Sequence, residues 1–141
     1  MTKVKKYKKL LLGLMVLAAS GCAVTPQGPQ SPEDRAKAKW DAIVVGDYAG
    51  AYVYYSPGYR EAVSEEQFVA TMSRRTLALT DALIHQTKDC DDEVCTVGIS
   101  VGFRITTGVS GISRENPFES RQIVWEDWIR TEKGWFFVPE R

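Results

Sequence analysis

Apolar residues fall in two different rhythms along the chain, and the change between them predicts the architecture. After Ser31-Pro32-Glu33-Asp34, the positions Ala36, Trp40, Ile43 and Val44 recur at helical spacing. Ser31 suits a cap, Pro32 the first helical position, and the two acids the positive end of the helix dipole. Gly46 closes that helix and Asp47 opens a second, with Tyr48, Ala51, Tyr52 and Tyr55 on one face until Ser56-Pro57-Gly58 breaks it. Ser64-Glu65-Glu66-Gln67 reads as a capping box for a third helix burying Phe68, Val69 and Met72. Beyond Arg75 the period drops to two: Cys95, Val97, Ile99, Val101, Phe103 and Ile105 alternate with smaller or polar residues, as in a strand with one buried face. Residues 82–88, 122–130 and 135–138 read as three more strands, and the short connection at Glu132-Lys133-Gly134 implies an antiparallel meander. Helices followed by a one-sided sheet predict an α+β layer pair: three N-terminal helices packed on a curved four-stranded antiparallel sheet.

The start of the chain follows neither rhythm. Lys3, Lys5, Lys6, Lys8 and Lys9 precede an uncharged apolar run from Leu10 to Ala19 and then Ser20-Gly21-Cys22, the three parts of an export signal. A spanning helix needs about 20 apolar residues, and this run is too short. The stretch Ala19-Ser20-Gly21-Cys22 resembles the bacterial lipoprotein signal, with Ala19 where that family often has Leu. The resemblance implies cleavage before Cys22, a diacylglycerol on its thiol and acylation of the new amino group. One acyl chain binds membranes only marginally, so several make a lasting anchor. In that family an Asp after the cysteine favours the inner membrane, so the resemblance, with Ala23 at that position here, implies lipid anchoring to the outer membrane, facing the periplasm. The expected organisation is a signal peptide over 1–21, a lipidated tether over 22–31 with two prolines and a glycine, and one domain over 32–141.

Processing changes the charge. Five of the 18 basic residues lie in the signal, leaving 13 against 18 acidic ones. An acidic product without a basic run offers no electrostatic footprint for nucleic acid. Export also permits oxidation. Cys90 and Cys95 flank Asp91-Asp92-Glu93-Val94 at the first hairpin, where they would sit opposite one another and form a disulfide worth about 2 kcal/mol. The rival reading, a zinc site, lacks a close cysteine pair and has only His85 to add, so no metal or other cofactor is expected.

Trp40, Gly46-Asp47-Tyr48, Tyr52 and Ser56-Pro57-Gly58-Tyr59-Arg60, followed by strands carrying Glu126-Asp127-Trp128 and Gly134-Trp135, resemble the NTF2-like superfamily, which includes ketosteroid-isomerase-like proteins. That resemblance implies a cone-shaped fold with a cavity between helices and sheet, and a homodimer through the outer sheet face. In the isomerase-like members a tyrosine and acids move a proton; here those would be Tyr52 or Tyr55 with Glu126 or Asp127, of which only one acid can face inward. The candidate pocket is Trp40, Tyr52, Tyr55, Glu126 and Trp128. The plainer reading is that Glu126 bonds a tyrosine or Arg104, and that Trp40, Trp125, Trp135 and the tyrosines from Tyr52 to Tyr59 are core. No catalytic residue is assigned, because the chain has no nucleophile elbow, phosphate loop or metal repeat. A membrane-anchored binding module for an envelope protein or small apolar ligand is expected, with a cavity-based isomerase or dehydratase as the alternative. Residues 106–120, rich in glycine and polar side chains, read as a flap at the pocket mouth, a partner-binding loop or a disordered connection.

Overall fold

A computed structural model describes residues 30–75, 77–107 and 110–140. The signal, Cys22 and most of the tether lie outside the described residues. The first helix, α1 (Pro32–Val44), opens with a reciprocal capping box: the Asp34 amide donates to Ser31 Oγ and the Ser31 amide to Asp34 Oδ2. Gly46, at φ 80°, turns the chain out of the helix in a left-handed conformation that a side chain would resist. Asp47 then caps α2 (Tyr48–Tyr52) by accepting from the Gly50 amide.

Among the described residues the helices number four, not three. Ser56-Pro57, expected to end the second helix, instead starts one, since α2 stops at Tyr52 and leaves Tyr55 outside it: Ser56 Oγ accepts from the Tyr59 amide and Pro57 occupies the first turn of α3 (Pro57–Ala62). Serine before proline is a stop for the segment behind it and a start for the one ahead. The last helix, α4 (Glu65–Ser73), carries the expected box between Ser64 and Gln67.

Strands β1 (Ala78–Lys88), β2 (Val94–Ile105), β3 (Phe118–Thr131) and β4 (Gly134–Val138) form an antiparallel meander in that order. Register shifts near Thr80 and His85 bulge β1, which increases local twist. Cys95, Val97, Ile99 and Val101 of β2 and Trp128 of β3 face the helices, where they meet Ala36, Trp40, Ile43, Phe68 and Met72 in one core. Each such aliphatic side chain contributes about 1.5–3 kcal/mol by leaving water. Trp125, expected in the core, is on the outer face instead and 38% exposed, because its neighbour Glu126 points inward.

Edge strand β4 is not left bare. The segment after α2 runs parallel beside it: the Phe137 amide donates to the Tyr54 carbonyl at 2.9 Å, and the Ser56 amide to the Phe137 carbonyl at 2.8 Å. That pairing fixes Tyr55 against Phe137. At the opposite end, Cys90 and Cys95 are joined in a disulfide, with Cα atoms 4.0 Å apart. The two are not cross-strand partners as expected; Cys90 sits within the turn and is stapled back to Cys95 at the start of β2. Asp91 closes the same turn, its Oδ1 accepting from the amides of Glu93 and Val94. The connection between β2 and β3 is shorter than 106–120, since β3 already begins at Phe118. Its described part forms a local turn, Ser113 Oγ accepting from the Asn116 amide and Asn116 Nδ2 donating to the Gly111 carbonyl.

Candidate ligand cavity

Between α1, α4 and the inner sheet face lies a cavity of about 400 Å³, walled by Tyr55, Tyr59, Phe68, Met72, Val124 and Phe137, with Thr71 and Arg75 at its exposed rim. A larger depression of about 620 Å³ beside α3 has no charged side chain in its lining. The smaller cavity has three, Arg75 at its rim and two that are buried. Lys39 and Glu126 both line it, and they are only 1% and 3% exposed.

Helix geometry puts Lys39 there. Ala36, Lys39, Trp40 and Ile43 make up the buried stripe of α1, so a lysine occupies the i+3 position of an otherwise apolar face. Its ammonium donates to Glu126 Oε1, and the Trp40 indole N–H donates to the same oxygen at 2.9 Å. Aromatic rings complete the surroundings of the ammonium. Its nitrogen is 3.9 Å from the Phe137 ring centre, 5.0 Å from Trp40, 5.5 Å from Tyr55 and 5.8 Å from Trp128. A cation over ring faces is stabilised by about 2 kcal/mol when desolvated, which offsets part of the cost of burying the pair. Burial lowers the Lys39 pKa from its ordinary value, while the Glu126 charge and hydrogen bond pull it back up and Arg75 lowers it further. The Tyr55 hydroxyl is pushed above its ordinary value, first by burial, then by Glu126 and Tyr59, against a smaller opposing effect of Arg75.

Both donors fall on one carboxylate oxygen. The other, Glu126 Oε2, is buried and has no hydrogen-bond partner among the described residues. A buried acceptor left unpaired costs about 1–3 kcal/mol, more when charged, so the cavity lining is incomplete by one donor.

Of the residues the sequence singles out, Trp40, Tyr55 and Glu126 come together in this lining. Trp128 is fully buried beneath it, and Tyr52 turns away, its hydroxyl donating to the Val63 carbonyl at 2.7 Å. Glu126 bonds neither a tyrosine nor Arg104, which pairs with Glu119 instead. Asp127 faces outward and accepts from Thr96 Oγ1. No described residue of the β2–β3 connection lines the cavity. His85 is exposed on the outer face with its ring edge toward Trp125, and among the described residues no cluster of His, Cys, Asp or Glu is arranged to hold a metal. Lys39 escapes the sequence reading because charged residues in a helix are normally assigned to its wet face. Its spacing from Ala36 and Ile43 was the available signal.

No family model and no curated protein matches the chain. Solved structures do. A SEC-C motif-containing protein from Rhodopseudomonas palustris superposes with a TM-score of 0.55 at 16% identity, over 77% of this chain and 76% of that one. A SEC-C motif-containing protein from Psychrobacter arcticus gives 0.54 at 8% identity over 79% of this chain, which spans only 60% of that protein's length. A Campylobacter jejuni protein assigned as an NTF2-like transpeptidase gives 0.51 at 15% identity, over 79% of this chain and all of that one. At such identities the likeness is one of fold, and the fold this chain shares with the Campylobacter protein is the NTF2-like one.

Proposed function

We propose that the chain is an exported lipoprotein, anchored through Cys22 to the outer membrane and facing the periplasm, whose NTF2-like domain binds a small, largely apolar molecule carrying one hydrogen-bond donor. The observation that carries this reading is the unpaired Glu126 Oε2 in the lining of an aromatic cavity. A cavity of this size is within the range that ligands fill, and a few polar groups among apolar walls are what orients them. The signal pattern from Lys3 to Cys22 supports the address, and the Cys90–Cys95 bridge fits an oxidising compartment. A homodimer through the outer sheet face, where Leu83, Ile123 and Trp125 are exposed, belongs to the same reading.

Binding is favoured over isomerase or dehydratase chemistry by the state of the acid. A general base needs a carboxylate free to take a proton, whereas Glu126 already faces an ammonium and an indole N–H. The raised Tyr55 pKa makes its hydroxyl a weaker acid as well. Native mass spectrometry of the full chain extracted from membranes in detergent tests the proposal. It should show the acyl mass on Cys22 and an additional small molecule that disappears in Val124→Trp, a variant that fills the cavity. A bare cavity in the wild-type protein would overturn the binding reading, and an unacylated Cys22 the anchoring.

A further inference from the structure

On the far side of β4 from this cavity, two arginines share one aromatic ring. The Arg35 guanidinium, on the first turns of α1, lies 4.9 Å from the ring centres of both Tyr54 and Phe136, and Arg60 of α3 lies 5.5 Å from Phe136. Both side chains are half-buried, and the ring between them is 6% exposed. Neither has a carboxylate partner, and neither guanidinium donates a hydrogen bond among the described residues; the Nε atoms of both are buried and unpaired. Burial lowers the Arg35 pKa, Tyr54 opposes this, and the Arg60 charge lowers it further, yet arginine remains charged at neutral pH.

This arrangement is unusual for its surroundings. The processed chain has 18 acidic residues against 13 basic ones, and carboxylates pair with Lys37, Lys39, Arg104 and Arg121, yet none among the described residues reaches this pair. Two like charges held together and partly desolvated repel each other, and stacking on Phe136 fixes them without neutralising them. A bidentate oxyanion supplies both what the charges and what the unpaired N–H groups lack.

We infer that Arg35 and Arg60, stacked on Phe136, form a binding site for a phosphate group. The group is either free phosphate or the phosphodiester of a lipid head, and the site is four residues from Ser31, where a tether from Cys22 would enter the domain. The site uses no residue of the aromatic cavity, so it stands whether or not that cavity binds a ligand.

The experiment is a titration of the full chain, solubilised in a phosphate-free sugar detergent, followed by the Nε–Hε resonances of its arginines. Inorganic phosphate is one probe and glycerophosphoglycerol, the diester head of an anionic phospholipid, the other, with chloride at equal ionic strength as control. The Arg35 and Arg60 signals should shift saturably while that of Arg104, already paired with Glu119, stays in place. Arg35→Lys and Arg60→Lys keep the charge but lose the fork, and each should weaken binding about tenfold, as loss of a charge-assisted hydrogen bond does. Saturation by both probes means the site reads phosphate whatever carries it. Saturation by the diester alone identifies a lipid head, and by inorganic phosphate alone a free anion. Any of these supports the site. No saturable shift with either probe, an equal shift with chloride, or undiminished affinity in both lysine variants overturns it; if the variants do not fold, the wild-type titration decides.

Discussion

Strand β3 carries Glu126 and Asp127 side by side, and the two acids meet opposite fates. Glu126 turns inward, loses its water, and is held by Lys39 and Trp40 among aromatic rings. Asp127 turns outward and accepts one hydrogen bond from Thr96. The same contrast separates the ion pairs on either side of the sheet. Lys39 and Glu126 are almost wholly buried, whereas Arg121 grips Asp81 with 2.6 and 2.8 Å contacts while both side chains stay about two-fifths exposed. By distance alone the outer pair is well made. Its worth is nevertheless small, since water and salt compete for both partners. Inside, nothing competes, so losing one partner leaves a charge with nowhere to go.

The largest effect should come from breaking the inner pair on one side only. Lys39→Met leaves Glu126 buried without its cation and should cost about 3–5 kcal/mol in urea unfolding. A loss below 1 kcal/mol would mean that the inner face is as wet as the outer one. Next is the staple at the rim of the inner face. Reduction of the Cys90–Cys95 bridge should lower stability by about 2 kcal/mol while leaving the far-ultraviolet circular dichroism intact. On the outer face, Asp81→Asn should cost no more than about 1 kcal/mol, and that cost should shrink as salt is raised. The smallest effect is at the β1–β2 turn, where two backbone N–H donors hold the exposed Asp91 carboxyl below its ordinary value of 3.8. A lowered folded-state pKa gives a contribution complete above the unfolded value and lost as the pH falls through the folded one. The wild-type urea midpoint should therefore fall more steeply than that of Asp91→Asn between about pH 4 and 2, and the two should run parallel above it.

The contrast between faces also explains what the chain's pattern reveals. Where the helices cover the sheet, alternation is clean: β2 from Cys95 to Val101 reads correctly, and Trp128 inward implies Glu126 inward. Where they do not, the pattern fades. The first residues of β3, from Phe118 to Arg121, are exposed on both sides, so nothing in their polarity marks a strand. Bulges near Thr80 and His85 interrupt the two-residue period of β1 and hide its early start. The helix starts at Ser31 and Ser64 were legible because capping is local chemistry. Ser56-Pro57 gave the same signal, but reading it as the end of the helix behind it obscured its role in opening α3, and α2 in fact stops earlier, at Tyr52. The site was half visible. Trp40, Tyr55 and Glu126 follow from periodicity and resemblance, whereas the Lys39 pairing depends on a contact 87 residues away that no local pattern encodes.

A double-mutant cycle on Lys39 and Glu126 bears most directly on whether the cavity's acid is already committed to a structural partner. Urea unfolding of Lys39→Met, Glu126→Gln and the double variant should give a coupling energy of about 2–3 kcal/mol, the double variant being more stable than Lys39→Met alone. Additive losses, with no coupling beyond about 0.5 kcal/mol, would show Glu126 to be independent of Lys39 and would contradict the account.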